Sequence, residues 1–481
     1  MLRGTIYITI SQIVLVLTNF ALHPYLGRKL GPELYGIFGV INTFVIIMEL
    51  IMMRGIYETI SKFVSEREEV AKVLISRTLK VMILASLVMG AICFLFAEQI
   101  ASLMNDLEIA SYIKLLSFII PILGVSTVFL GAMNGLRQFG KQALIAITFY
   151  LVRMICIIIL VFSGYSVRGA VIGLIMAEIF RLVMAKGLFR PMDAGTDFES
   201  KKMIGFAMQV IIIAILTAFV MNMDLLAVKV ILKDNLQTGF YTAAVTISKI
   251  PLLLMYPVST TVLPTISRSN SEGDKILTEM YIKQSLRLLL IFVLPIALMI
   301  LATSENCISL FYGDRFKPAS APLNILLLGA IFLSIKVVMY NVIVASGWPR
   351  YVVLIGLLSL VIDVALLITL INKIGLVGAA CATTMIHFMG FLLSYGYVAR
   401  KFMTQRIPTF LIRIGLASLI IYLVATVYSP SGITLLFYYG VLLGLFFFIL
   451  VIMKEINLTE IKVKFIRNWE TLNLKNIFGR F

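Results

Sequence analysis

Long apolar runs alternate with short polar connectors along the whole chain. An α-helix rises 1.5 Å per residue, so about 20 apolar residues cross a hydrocarbon layer about 30 Å thick. Fourteen runs of roughly 15–24 residues meet that requirement. They lie near 5–26, 35–53, 81–97, 115–132, 143–162, 169–186, 205–224, 242–263, 288–302, 323–345, 352–371, 375–398, 411–427 and 434–453. Lipid offers no partners to backbone polar groups, so each run is predicted as a helix. The pattern predicts an all-α integral membrane protein with fourteen transmembrane helices.

The polar connectors decide orientation. With the N-terminus inside, the inside segments carry 29 of the 41 Lys and Arg residues and the outside loops carry 9. That imbalance predicts a multi-pass protein of the cytoplasmic membrane with both termini cytoplasmic. Ser61–Lys80, Lys186–Lys202, Ser267–Arg287 and the tail from Lys454 are the longest inside segments. Glu66–Lys80 and Glu460–Phe481 mix charge with helical apolar spacing, which predicts helices lying along the membrane surface. No connector is long enough for a soluble domain.

The chain also repeats itself. The first connector, Leu26–Phe38, contains Gly27, Gly31, Pro32 and Gly36, which predict a break in helical continuity there. A looser copy lies at Val230–Tyr241, with Gly36 aligned to Gly239 and Phe38 to Tyr241. Val167–Ala177 aligns with Leu376–Ile386, and Asn134-Gly135 with Ser346-Gly347. The three alignments share nearly the same offset along the chain. Six spans per copy means that both copies enter the membrane in the same direction. The expected architecture is two parallel six-helix lobes around a central cavity. Residues 1–200 form the N-lobe and 201–402 the C-lobe. Residues 403–455 carry spans 13 and 14, and 456–481 the cytoplasmic tail.

Composition narrows the function classes. The chain is 60% hydrophobic and 14% charged, beyond what a soluble protein can bury. Its net charge of +17 follows from the loop bias and gives no reason to expect nucleic acid. No cleavable signal is evident at the N-terminus. The four cysteines lie in or beside apolar runs without paired spacing and read as packing residues. His387 has no clustered Cys or His, so no transition-metal site is expected. No phosphate-binding loop or nucleophile elbow appears, so the chain reads as a secondary transporter and not an enzyme.

Four stretches, in this order, resemble polysaccharide-biosynthesis flippases. They are Leu26–Gly36 with Arg54–Glu66, Thr238–Ala244, Leu263–Ser267, and Leu310–Ala319. These flippases form the oligosaccharide and sporulation-protein branch of the multidrug/oligosaccharidyl-lipid/polysaccharide exporter superfamily. The resemblance spans essentially the whole chain. It implies movement of a lipid-linked oligosaccharide, on a polyprenyl diphosphate, to the outer leaflet by alternating access. It also implies membrane lipids and polysaccharide-synthesis proteins as partners. A cation-coupled multidrug exporter and a lipid II flippase share this fold and remain alternatives. Against the multidrug reading, the chain has fourteen spans where those members have twelve, and Thr5–Leu26 holds no acid. A non-transporting scaffold is disfavoured, because it has no reason to carry charges within its spans.

Charge inside a span costs about 2.5–3.5 kcal/mol and points to a cavity or a partner. In similar flippases, spans 1, 2, 7 and 8 line the cavity and basic side chains meet the diphosphate. Arg54 and Lys249, in spans 2 and 8, resemble those in location. Arg28 and His23 add charge at the top of span 1, and Arg153 stands in span 5. The competing reading has Arg54 snorkelling to the surface and Arg153 or Lys336 paired with Glu178 or Glu49. Ser359 and Asp363 are i and i+4 on span 11, on one helix face. With Asp224 at the end of span 7 and Thr383 in span 12, they offer hard oxygen ligands suited to an alkali cation. The lipid II branch has a similar sodium site, with Asn where this chain has Ser359. No other cofactor is expected. The alternative is an ion pair of Asp363 with Lys336.

Overall fold

The computed structural model describes residues 2–66, 71–189, 200–253, 262, 265–270, 272, 274–403 and 409–455. Among them no strand forms. The N-lobe comprises α1 (Leu2–Met52), α2 (Glu58–Glu66), α3 (Ala71–Leu95), α4 (Ala97–Leu103), α5 (Glu108–Leu116), α6 (Ile119–Gly135), α7 (Phe139–Leu160) and α8 (Ser166–Leu188). The C-lobe comprises α9 (Ser200–Leu232), α10 (Asn235–Ser248), α11 (Ile250–Leu253), α12 (Lys275–Ala302), α13 (Ser304–Tyr312), α14 (Ser320–Ala345) and α15 (Pro349–Phe402). α16 (Thr409–Val427) and α17 (Thr434–Ile452) follow; α16 packs on α12, and α17 on α16.

Ten helical stretches among the described residues are long and apolar enough to cross a membrane. Three of them, Ile6–Glu66, Phe139–Leu188 and Pro349–Phe402, each hold two successive spans joined through a kink. The eighth span begins as α10 and α11, broken at Lys249. Thirteen of the fourteen spans of the sequence pattern are thereby accounted for among the described residues, and the eighth is described in part. An even number of spans returns the chain to its starting side. We call that side the terminal face and the opposite one the distal face.

Local chemistry explains where the boundaries differ from the apolar pattern. The first connector does not end the helix. Only Gly31 leaves helical geometry (φ 76, ψ 170), and Pro32 directly after it occupies a first-turn position where its missing N–H is not needed. Gly27 and Gly36 stay helical and serve close packing. The expected surface helix at Glu66–Lys80 does not form as such. Residues 71–80 continue directly into span 3 as α3. Span 9 likewise starts well before its apolar run, at Lys275, because Asp274 accepts the Leu277 N–H at 2.9 Å and Glu279 pairs with Lys283 at 2.7 Å. The second expected surface helix, Glu460–Phe481, lies outside the described residues.

The repeat is visible in the backbone. The hinge between spans 5 and 6 is Gly164 (φ 92), and that between spans 11 and 12 is Gly375 (φ 60). The two hinges stand at nearly the same offset as the sequence copies. Gly169 and Gly378, equivalent in the aligned stretches, do the same work. Each brings a helix against the main chain of the preceding span, at Leu160 and Leu370 respectively. Gly36 and Gly239 face each other between the lobes. A Cβ on Gly36 would fall on the Asn235 carbonyl oxygen, and one on Gly239 on that of Pro32. This contact joins α1 to α10.

Candidate substrate cavity and cation site

A cavity of about 550 Å³ lies between the lobes, within the range of small-molecule sites. Its walls come from α1, α7, α9 and α10. Along α1 it reaches from Gln12 to His23, about 16 Å of helix. Its distal end is closed by aromatic rings. His23 Nδ1 and the Tyr35 hydroxyl share a hydrogen bond of 2.9 Å, and Tyr35 shares one of 3.1 Å with Tyr312 of the C-lobe. Phe38 stacks on the Tyr35 ring, and Phe316 meets it edge to face.

Two cations reach the cavity from opposite lobes. Lys249 sits at the break between α10 and α11, just before Pro251, and is solvent-accessible although it lies deep between the lobes. Asp224 is within its electrostatic range. Arg153 enters from α7 and donates to Asn19 Oδ1 at 2.8 Å. The acids expected to neutralise it are engaged elsewhere. Arg181, buried in α8, binds Glu178 at 2.7 Å and Glu49 at 3.1 Å, and lies 4.5 Å from the Phe149 ring centre. Arg153 is thereby left without an ion pair within 4.0 Å among the described residues, and it faces the cavity with Glu49 and Glu178 still within its electrostatic range.

The other expected ligands fall in different places. Arg28 does not line the cavity. It is exposed on the distal face, where its Nε donates to the Phe311 carbonyl at 2.9 Å and a terminal nitrogen donates to that of Leu310. Arg54 lies in a π-helical turn, Met53–Tyr57, and its side chain is outside the described residues.

The acidic set gathers in the C-lobe. Asp224 Oδ2 accepts from the Tyr241 hydroxyl at 3.0 Å and from Thr383 Oγ1 at 3.5 Å, and Oδ1 from the Leu225 N–H at 2.8 Å. Asp363 is buried within electrostatic range of Asp224. Ser359 Oγ and Asp363 Oδ1 are both buried without a hydrogen-bond partner among the described residues. Each such group costs about 1–3 kcal/mol, a penalty that a bound cation removes. Two carboxylates and two hydroxyls form an all-oxygen donor set, which fits an alkali cation. The alternative ion pair does not form. Lys336 Nζ lies 3.2 Å from His387 Nδ1, and among the described residues no ion pair within 4.0 Å joins it to Asp363.

A cavity at the junction of two same-direction six-helix lobes, with a cation on each wall deep within the spans, is the architecture of a transporter. The family comparison agrees. A family model described as polysaccharide biosynthesis protein matches residues 25–321, more than half of the chain. The chain belongs to this family. It is 22% identical over 398 residues to a protein of Haloferax volcanii named as the probable low-salt glycan biosynthesis flippase Agl15, covering 82% of this chain and 83% of that one. It is 23% identical over 376 residues to a protein of Shigella flexneri named "Putative O-antigen transporter", covering 74% of this chain and 87% of that one. In fold it is similar to the lipid II flippase MurJ in an inward closed conformation, with a TM-score of 0.75 at 18% identity over 94% of this chain and 98% of that one.

Within this polysaccharide-biosynthesis fold, several site residues escaped the sequence pattern. Asn19 reads as one polar residue in an apolar run, and nothing local links it to Arg153, 134 positions away. Tyr241 appears as the repeat partner of Phe38, but its hydroxyl bonds Asp224. The i,i+3 spacing of Glu178 and Arg181 did carry a signal of pairing.

Proposed function

We propose that this polysaccharide-biosynthesis protein flips a lipid-linked oligosaccharide, carried on a polyprenyl diphosphate, from the cytoplasmic to the outer leaflet by alternating access. The observation that carries this reading is the pair of cations, Arg153 and Lys249, on opposite walls of one inter-lobe cavity, neither of them in an ion pair within 4.0 Å among the described residues. A diphosphate offers an oxygen cluster to each wall, and charge-assisted bonds to phosphate are strong. A substrate held by both lobes stays bound while the lobes rock about it. The 29-to-9 split of basic residues supports a cytoplasmic terminal face in the cytoplasmic membrane. The partners are the glycolipid, the surrounding lipids and the proteins of polysaccharide synthesis.

Asp224, Ser359, Asp363 and Thr383 are proposed to hold a sodium ion. Bound there, sodium neutralises two carboxylates that otherwise repel each other. An inside-negative potential favours inward cation movement by roughly 2.3 kcal/mol per charge per 100 mV across the full field. It equally favours outward movement of an anionic diphosphate, so cation binding at these residues serves mainly to reset the carrier.

Flipping in proteoliposomes, with sodium and pH gradients imposed separately, tests both parts. The expected result is transport that a sodium gradient accelerates and that Asp363→Asn makes insensitive to sodium. Sodium-independent transport unaffected by Asp363→Asn excludes the cation site. Absence of glycolipid flipping by the intact protein overturns the substrate reading.

A further inference from the structure

On the distal face the lobes are joined by two bridges of the same design. Each lobe places a short helix between its third and fourth spans: α4, Ala97–Leu103, in the N-lobe and α13, Ser304–Tyr312, in the C-lobe. The two helices stand at nearly the repeat offset. Each is gripped, just at or beyond its C-terminal end, by a cation from the first span of the opposite lobe. Arg28 of the N-lobe donates to the Leu310 and Phe311 carbonyls in the last turn of α13. Those carbonyls are among the acceptors that a helix end leaves unpaired, where the helix dipole favours positive charge. Lys229 of the C-lobe binds Asp106, just past the end of α4, at 2.8 Å. Arg28 and Lys229 fall within a helical turn of equivalence when Gly36 is aligned with Gly239.

The bridges differ in chemistry. Arg28 is exposed and pairs with neutral carbonyls. Lys229 is 1% exposed and Asp106 10%, so the second bridge is a nearly buried ion pair. Asn235 completes it, donating to the same Asp106 oxygen at 2.8 Å while accepting from Lys229. Asn235 is also the residue whose carbonyl meets Gly36, so the ion pair and the glycine contact close together. Opening the distal face separates Asp106 from Lys229, and separation is tolerable only if water enters at the same moment.

We infer that Arg28 and the Asp106–Lys229–Asn235 cluster are a paired latch that holds the distal face shut, and that both halves must release before the cavity opens there. The latch positions the lobes and does not contact substrate. This rests on the alternating-access reading, but its test requires no substrate and so fails independently of the glycolipid assignment.

The test uses the full-length protein with Cys93, Cys156, Cys307 and Cys381 replaced by Ala and a single reporter, Val245→Cys, on the cavity wall. A membrane-impermeant maleimide is applied to each face of oriented vesicles. Asp106→Ala is expected to raise the distal-face labelling rate on the order of 10- to 100-fold, because it strands a buried ammonium. Arg28→Ala gives a smaller rise, and the double variant the largest. The charge swap Asp106→Lys with Lys229→Asp is expected to bring the rate back toward the parent value. It also controls for folding, together with a monodisperse size-exclusion peak. Unchanged distal labelling in the double variant overturns the latch, as does an equal rise from both faces.

Discussion

Lys249 shows how the surroundings of one residue decide where its charge points. A lysine in the middle of a span is costly in lipid, and here a helix break before Pro251 turns it into the inter-lobe cavity opposite Arg153. Each charge-assisted contact to phosphate is worth about 1.5–3 kcal/mol. Lys249→Ala and Arg153→Ala should therefore each weaken glycolipid binding by about 10- to 100-fold, measured by titration in detergent, with thermal stability little changed. Asn19→Ala should weaken it less, since it releases Arg153 without removing the charge. Equal affinity in all three variants would place the diphosphate elsewhere. Asp106 makes a different prediction, about pH. Burial pushes its carboxyl upward, but hydrogen bonds from Lys229 and Asn235 and the Lys229 charge outweigh burial and hold it below the usual carboxylate value of 3.8. Glu108, Tyr112 and Arg168 of α8, which bonds Tyr112, are further titratable or charged groups of the same region. A depressed carboxyl contributes stability above its unfolded value and loses it only as pH falls through the folded one. The distal labelling rate, corrected for the reagent's own pH dependence, should thus be flat from about pH 5 to 8. A rise toward the acid end of that window would show that Asp106 is not held in this pair.

At the scale of elements, glycine geometry decides how spans connect. Gly31 has φ 76 and ψ 170, a region essentially closed to residues with a Cβ. Gly31→Ala should cost about 1–3 kcal/mol, read as a lowered unfolding temperature. Gly356→Ala is the control: it lies inside α15 with open space around it and should be neutral or slightly stabilising. If both variants melt alike, the kink carries no strain-sensitive role. These elements were partly legible beforehand. The apolar runs predicted their number and approximate place, because lipid burial imposes a minimum length. Their ends were not legible at α3 and α12, where polar and charged residues continue the helix beyond its apolar part, at α12 through an ion pair and a capping aspartate. Nor could the first connector be read correctly, since four helix-weakening residues proved to contain one hinge and two packing glycines.

At the scale of the whole molecule, the two lobes should move as units. Spin labels at Leu107 and Lys317, exposed on the distal side of the N- and C-lobe, should report a distance that broadens or shifts when substrate or sodium is added. Labels at Leu107 and Tyr165, both in the N-lobe, should report a constant one. Changes confined to the second pair would contradict rigid lobes. What the sequence by itself determined is the membrane class, the approximate span count and the parallel repeat, because each follows from hydropathy, period or spacing along one chain. Only the tertiary structure decided partners. It paired Glu49 and Glu178 with Arg181 and gave Arg153 its hydrogen bond to Asn19 at the cavity. It set Lys336 beside His387, left Asp363 with an open oxygen, and moved Arg28 from the cavity to the distal bridge. Charges seek the nearest partner in space. Lys336 and His387 stand 51 positions apart and Arg28 and Phe311 283 apart, so no local stretch of sequence records which partner that is.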